Sequence, residues 1–190
     1  PFSDLDTRLR DKVRDETISI LKSNGTSILL VTHDPFEAML VADKIIIIDK
    51  PHLIQQSTPR DLYFNPSNKF VANFFGDINI FNGQVDGDNI LFLLGIFNKK
   101  NDFVNKNVEV IVRNEAIIIH KNSDKAKYHI EGKIFSVKNV GVFQYIELTV
   151  ENHSEKITAR LNNNSQFEIG STVWIGFDPE FTYVFKIEDD

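Results

Sequence analysis

The stretch Ser27-Ile28-Leu29-Leu30-Val31-Thr32-His33-Asp34-Pro35 decides how the first part of this chain is interpreted. Residues 27–32 form a short apolar run, which is typical of a strand buried on both faces of a parallel sheet. Asp34 is a favoured helix N-cap and is followed by proline, so a helix is expected over 35–41. A second apolar run over 44–49 predicts another buried strand. The order strand, helix, strand therefore predicts a parallel α/β sheet here.

Further helices are expected before and after this strand–helix–strand segment in the chain. Residues 5–23 carry apolar side chains at helical spacing, and Asn24-Gly25 is a typical helix end. Two further short helices are expected over 59–64 and 67–75. The second has a phenylalanine-rich apolar face, whose main role is expected to be core packing.

After Gly76 the hydrophobic pattern changes from helical spacing to alternation, and nearly every later segment is predicted to be a strand. The predicted strands are 79–85, 89–94, 108–112, 116–120, 128–138, 143–150, 156–161, 172–177 and 183–187. Short strands separated by Gly, Asn and Asp turns favour a small β-barrel. We therefore place a domain boundary near Gly76-Asp77, with a first domain over 1–76 and a second over 77–190.

Composition excludes several classes of function. The 190 residues carry a formal net charge of −6, so no general attraction for nucleic acid or anionic lipid is expected. The longest apolar runs are far shorter than the roughly 18–20 residues that cross a bilayer. The chain has no cysteine, which excludes disulfides and thiolate metal sites. Any association with a membrane is expected to come through a partner.

Two motifs in the first domain carry a resemblance to a known family. Ser3-Asp4-Leu5-Asp6 resembles the D-loop of the ATP-binding subunits of ABC importers, and Thr32-His33-Asp34, followed by Glu37-Ala38, resembles their switch-histidine motif. Residues 55–76 resemble the end of the same nucleotide-binding domain, with Ser57 where the family usually has glycine. The resemblance implies that residues 1–76 are the α/β C-terminal part of a P-loop NTPase domain.

The second domain also resembles part of these importers. Val110-Ile111-Val112-Arg113-Asn114-Glu115 and the segments 132–141 and 170–180 are similar to their transport-associated, OB-like domain. Asn114 replaces the proline that is usual at its position. The resemblance implies an all-β, OB-like barrel over 77–190.

The resemblance assigns roles to three residues. His33 is the expected catalytic residue, because an imidazole at the end of a strand can donate a hydrogen bond to a terminal phosphate oxygen. Ser3 and Asp6 are the expected D-loop residues, which couple the nucleotide sites of a dimer. The alternatives are ordinary ones: His33 as a solvent-facing residue before a helix, and Ser3 or Asp6 as helix N-caps. The five histidines lack metal-ligand spacing, so no metal site is predicted.

The sequence also lacks parts of the ATPase machinery. It contains neither a Gly-x-x-x-x-Gly-Lys-[Ser/Thr] phosphate loop nor the acidic pair that precedes the D-loop in the family. ATP and Mg²⁺ are therefore expected as cofactors of the full-length subunit, with none bound to this fragment. The fragment alone is predicted to be inactive.

The implied function is ATP-driven uptake of a small solute, such as ferric ion, a polyamine or a sugar. The implied partners are a second ATPase subunit, transmembrane permease subunits and, indirectly, an extracytoplasmic solute-binding protein; nucleic acid is not among them. The expected location is the cytoplasmic face of the cell membrane, as a peripheral protein. The alternative is a non-enzymatic module that binds a small anion or other effector, or that serves dimerisation.

Overall fold

The computed structural model describes residues 7–49, 51–98, 106–121, 130–163 and 166–187. The chain divides into two compact units, Pro1–Ser67 and Asn68–Asp190. The predicted functional division near Gly76 is a different boundary, and it stays a prediction.

The first unit contains three helices and one antiparallel pair of strands. In chain order these are α1 (Thr7–Ser23), α2 (Pro35–Val41), β1 (Ile45–Asp49), β2 (His52–Ser57) and α3 (Pro59–Phe64). The end of α1 follows from its sequence, since Gly25 adopts φ 67° and donates to the carbonyl of Lys22 at 3.0 Å. The predicted helices over 35–41 and 59–64 are found with those bounds.

The predicted parallel sheet is wrong for the described residues. Residues 26–32 form no strand, and β1 pairs antiparallel with β2, which the sequence analysis had not predicted as a strand. A parallel strand needs a neighbouring strand along its edge, and no described strand pairs with residues 26–32. β1 is correspondingly buried on one face only: Ile45 and Ile47 are buried, whereas Ile46 and Ile48 are exposed.

The second unit consists of one short helix followed by antiparallel strands. Its elements are α4 (Lys69–Phe74), β3 (Ile78–Asp86), β4 (Asn89–Phe92), β5 (Gly95–Asn98), β6 (Asn107–Arg113), β7 (Ile117–His120), β8 (Ile130–Val140), β9 (Phe143–Thr149), β10 (Ile157–Asn162), β11 (Thr172–Phe177) and β12 (Thr182–Lys186). Short 3-10 turns span Asn114–Ala116 and Pro179–Phe181.

These strands form two five-stranded antiparallel sheets. The first sheet has the order β12-β6-β3-β4-β5, and the second has the order β10-β9-β8-β11-β7. Apolar residues at alternate positions of both sheets form one buried core, which includes Phe81 and Val110 from the first and Ile134 and Ile146 from the second. The unit is therefore mostly β, as the alternating pattern predicted, and its sheets are OB-like, as the resemblance implied. Among the described strands of this unit, the pattern missed β5.

Candidate functional site

His33 lies in a bend immediately before α2, with its side chain exposed. The bend is fixed by its neighbours rather than by the histidine. The carboxylate of Asp34 accepts hydrogen bonds from the backbone N–H groups of Phe36 at 2.9 Å and Glu37 at 3.2 Å, and its own N–H donates to the hydroxyl of Thr32 at 3.1 Å. Asp34 is thus the structural cap, as predicted, which leaves the imidazole of His33 available to a ligand.

The other two predicted site residues are the D-loop residues Ser3 and Asp6. Ser3 and Asp6 lie outside the described residues. Their roles, and their distance from His33, stay predictions.

The segment that leads to His33 exposes apolar surface. Leu29 is 88% exposed and Val31 is 86% exposed, although both are typical core residues. Ile46 and Ile48 of β1 add 51% and 69% exposure. Exposed apolar side chains of this kind are unusual for core residue types, and contiguous patches of them mark interaction surfaces.

A polar network fixes the connection from β2 to α3. The hydroxyl of Ser57 donates to the carboxylate of Asp61, and Asn65 Nδ2 donates to the same carboxylate at 2.8 Å. Further along, Gln55 binds the carbonyl of Asn65 and the N–H of Ser67, at 3.0 and 2.8 Å. The Ser57 hydroxyl and then the Asn65 amide hold the pKa of Asp61 below its ordinary value of 3.8. Ser57, which departs from the family's glycine, therefore has a structural partner of its own.

Arg113 is fully buried in the second unit, and the sequence analysis assigned it no role. It ends β6, where its Nη1 donates to the carbonyl of Ala72 at 3.0 Å and its Nε donates to the hydroxyl of Tyr183 at 3.4 Å. The guanidinium carbon is 5.5 Å from the Tyr183 ring centroid. The signal in the sequence is a charged residue at the end of the apolar run 110–112, where burial demands partners.

Asn79 of β3 joins the two sheets. Its Oδ1 accepts from the N–H of Thr158 at 2.7 Å, and its Nδ2 donates to the carbonyl of Thr158 at 2.9 Å and to the side chain of Asn114 at 3.0 Å. Asn79 is buried, so these bonds also satisfy an amide that would otherwise be costly to bury.

The outer face of the second sheet carries a charged cluster on β8, β9 and the adjoining loop. The hydroxyl of Ser136 donates to Glu147 at 2.8 Å, and Lys156 lies 3.6 Å from the same carboxylate. The Ser136 hydroxyl is the largest cause of a lowered pKa at Glu147. Desolvation opposes it as the next largest effect, and the positive charges of Lys156 and Lys138 add to the lowering. Lys156 also lies 3.4 Å from the ring centroid of Phe135. These contacts satisfy the charges within the surface itself.

A groove of about 520 Å³ lies along the first sheet. It is lined by Asn82, Gly83, Gln84, Leu91, Phe92, Asn107 and Ile187. None of these described side chains is titratable, so they supply no group for acid–base or nucleophilic catalysis.

The described residues contain neither a candidate metal site nor a candidate membrane-spanning helix. These parts of the chain contain no group of three or more His, Cys, Asp or Glu side chains able to hold a metal ion. No helix among the described residues is long and apolar enough to span a membrane.

The class of protein emerges from comparison with known families and proteins. Residues 110–185, which include strands from β7 to β11, match the family model of the TOBE domain. Over its whole length the chain is similar to ATP-binding proteins of importers. These similarities support the resemblance seen in the sequence, to the C-terminal part of the ATP-binding subunits of ABC importers.

Particular relatives make the similarity concrete. The spermidine/putrescine import ATP-binding protein PotA of Clostridium novyi is 33% identical over 196 residues, which cover 100% of this chain and 54% of that protein. The Fe(3+) ions import ATP-binding protein FbpC 2 of Pectobacterium atrosepticum is 30% identical over 174 residues, which cover 91% and 50%. The chain thus spans about half the length of the curated relatives it matches.

One solved structure also matches part of the chain. The cytoplasmic molybdate-binding protein ModG, in a form with molybdate bound, matches with a TM-score of 0.45 and 14% identity. The match covers 57% of this chain and 96% of that one.

Proposed function

We propose that this chain is the C-terminal part of the ATP-hydrolysing subunit of an ABC importer. In this proposal residues 1–76 complete an α/β P-loop NTPase domain, and residues 77–190 form its OB-like β domain. The observation that carries the proposal is similarity to import ATP-binding proteins along the whole chain, in both units. The TOBE match over 110–185 supports it independently, from the second unit alone.

The apolar surface of the first unit supports the α/β part of the proposal. Leu29 and Val31 are almost fully exposed, in a segment without regular secondary structure that has the composition of a buried strand. In a complete nucleotide-binding domain, neighbouring strands would cover residues 27–32 and would pair with their backbone. The exposed faces of Ile46 and Ile48 would be covered in the same way.

In the proposed mechanism His33 acts on the terminal phosphate. Its exposed imidazole, at the end of the apolar segment, would donate a hydrogen bond to a phosphate oxygen and stabilise charge that develops during phosphoryl transfer. Asp34 and Thr32 hold the backbone of the bend, so the position of the imidazole is set by its neighbours in the chain. Ser3 and Asp6 would couple the two nucleotide sites of the dimer through the D-loop.

The residues of this chain fit only part of an ATP site. His33 is suited to donate a hydrogen bond to a phosphate oxygen. The sequence has no phosphate loop or acidic pair, so another part of the complete subunit would hold the phosphates and the metal. Bound Mg²⁺ neutralises phosphate charge in such sites. The chain alone is therefore proposed to be inactive and to hold neither ATP nor Mg²⁺.

The proposed partners and cargo follow from the relatives. The complete subunit would dimerise and drive membrane permease subunits at the cytoplasmic face of the cell membrane, supplied by a solute-binding protein. The relatives named above import spermidine/putrescine or Fe(3+), which are both cationic cargoes. A small cationic solute is therefore the proposed substrate class.

The decisive experiment is steady-state ATP hydrolysis by the complete subunit, by its His33→Ala variant and by this chain alone. We expect turnover in the complete subunit only, and a loss of about 10²–10³-fold in His33→Ala with nucleotide binding retained. His52→Ala, at the exposed first residue of β2, is the matched control and should retain turnover.

Two results would change the proposal. Unchanged turnover in His33→Ala would remove His33 from the mechanism. No turnover in the complete subunit, even with its permease, would favour a non-enzymatic module that binds a small anion or other effector, or that serves dimerisation.

A further inference from the structure

Helix α4 is packed onto the outer face of the first sheet of the β unit. Val71 and Ala72 are fully buried, and Ala72 clusters with Ile111 of β6 and Tyr183 of β12. Because Ile111 and Tyr183 are paired across neighbouring strands, the helix covers the junction of β6 and β12.

A side chain of β6 binds the C-terminal part of this helix. In a short helix the last four carbonyls have no partner within the helix, and that of Ala72 is one of them. Arg113 Nη1 donates to this carbonyl at 3.0 Å. A cation near a helix C-terminus is also favoured by the helix dipole, so Arg113 caps α4 from the sheet.

A second side chain of the same strand binds the first residue of the helix. Lys69 Nζ lies 2.9 and 2.8 Å from the two carboxylate oxygens of Glu109. Glu109 and Arg113 are four residues apart on β6, so they face the same side of the sheet. Both parts of α4 are thus held by one strand.

The chain before α4 is held by the first unit. The N–H of Ser67 donates to Gln55 Oε1 at 2.8 Å. The next residue, Asn68, caps α4 by accepting from the N–H of Val71 at 3.0 Å. Ser67 is therefore hydrogen-bonded within the first unit, whereas Asn68 is hydrogen-bonded within the second.

On the far side of α4 the chain stays bound to the sheet. Asp77 accepts from the N–H of Asn114 at 3.1 Å, and Ile78 begins β3, where it pairs with Arg113. The glycine at 76, which the sequence suggested as a boundary, therefore lies between two segments that are bound to the same sheet.

We propose that α4 is an integral part of the β unit, latched by Arg113 and Glu109, and that the folding boundary of this unit lies at the Ser67–Asn68 junction rather than near Gly76. Arg113 is then a positioning residue that joins helix to sheet. The inference does not depend on ATP hydrolysis.

The test is to insert Gly-Gly-Ser at two positions in the 190-residue chain, between Ser67 and Asn68 or between Gly76 and Asp77. Trp174, the chain's one tryptophan, lies on β11 and reports thermal unfolding of the β unit by its fluorescence. We expect the first insertion to shift the midpoint by less than about 2 °C and the second to lower it by about 4–8 °C. Equal shifts, or a larger shift from the first insertion, would overturn the proposal.

Hydrogen exchange in Arg113→Met tests the latch itself. We expect exchange over 70–75 to accelerate at least about tenfold, with β8 and β9 changed less than about twofold. Arg60→Met, an exposed arginine of α3, is the matched control and should leave α4 unchanged. Unchanged exchange in α4, or equal acceleration of α4 and β8–β9, would overturn the latch.

A variant at the other contact covers the case in which Arg113→Met fails to fold. Glu109→Gln removes the charge that binds Lys69, and this partly exposed pair predicts about two- to threefold faster exchange in α4 alone. Failure of Glu109→Gln to accelerate α4 would count against the latch.

Discussion

The side-chain amide of Asn79 bonds both backbone groups of Thr158, in the way that a residue of an adjacent strand would. Oδ1 accepts from the Thr158 N–H at 2.7 Å, and Nδ2 donates to its carbonyl at 2.9 Å. Asn79 lies on β3 of the first sheet and Thr158 lies on β10 at the edge of the second. One amide thereby connects the two sheets of the β unit.

Removing this amide should destabilise the β unit. Asn79→Ala leaves the N–H and carbonyl of Thr158 without their partner, which predicts a loss of about 1–3 kcal/mol in the free energy of unfolding. The measurement is urea unfolding followed by Trp174 fluorescence. Asn82→Ala, on the same strand but exposed, should change the free energy by no more than about 0.5 kcal/mol. Equal effects of the two variants would show that the connection contributes nothing.

Gly132 of β8 is expected to tolerate no larger residue without loss. A methyl group there would overlap Cδ1 of Ile175 and lie 3.0 Å from the carbonyl oxygen of Thr149. Gly132→Ala should therefore lower the free energy of unfolding by about 1–3 kcal/mol.

The clash with Ile175 can be tested by a double-mutant cycle. Ile175→Val removes Cδ1, so Gly132→Ala should cost less in that background than in the wild type, by at least about 0.5 kcal/mol. Additive losses, measured by urea unfolding, would assign the cost to the backbone contact with Thr149.

The pKa of Asp61 should rise when the Ser57 hydroxyl that donates to its carboxylate is removed. Ser57→Ala is expected to raise the pKa of Asp61, and by more than Asn65→Ala does, because the Ser57 hydroxyl is the larger cause of the lowered pKa. The measurement is a carboxyl NMR titration of both variants. A larger effect from Asn65→Ala would reverse the assignment of causes.

The same pKa predicts how the β2–α3 connection responds to acid. Since the folded pKa of Asp61 is lower than its unfolded value, the interaction stabilises the fold above pH 3.8 and is lost as the pH falls through the folded pKa. As the pH falls from 3.8 through the folded pKa, hydrogen exchange in α3 should accelerate in the wild type. The acceleration should be smaller in Ser57→Ala. If acid accelerated exchange equally in the wild type and in Ser57→Ala, the Ser57–Asp61 interaction would not be the cause of the acid sensitivity of α3.

Asp34 and His33 should differ in their structural importance. Asp34→Ala removes a cap that accepts two N–H bonds, which predicts about fivefold faster hydrogen exchange in α2. His33→Ala alters an exposed side chain and should change that exchange by less than about twofold. Equal acceleration would mean that His33 is a structural residue, and would weaken its proposed role in catalysis.

The β unit could be predicted because its burial is local and regular. In β3 the buried Phe81 and the exposed Asn82 alternate as a strand on a one-sided sheet requires, and β11 is found at the predicted residues 172–177. β5 was missed because the turn before it, Leu93-Leu94, is apolar and so continues the pattern of the predicted strand 89–94. The apolar run 110–112 hints that Arg113 is buried, but its partner could not be foreseen, since Ala72 lies 41 residues earlier in the chain.

The first unit was harder, because its pattern reports partners as well as local structure. Residues 27–32 have the composition of a buried strand, yet a strand forms only where another backbone pairs with it. β2 was missed for the opposite reason: Gln55 and Gln56 make it too polar to resemble a core strand. The exposed position of His33 follows from the cap at Asp34, which could be predicted, whereas its relation to Ser3 and Asp6 depends on tertiary structure.

An edge strand is where foreign chains add to a sheet and begin aggregation. On β10 the backbone groups of Thr158 are already occupied by Asn79, so an incoming strand would find no partner at that residue. The amide that connects the two sheets therefore also limits how far another polypeptide can extend this edge, and its loss should cost solubility as well as stability.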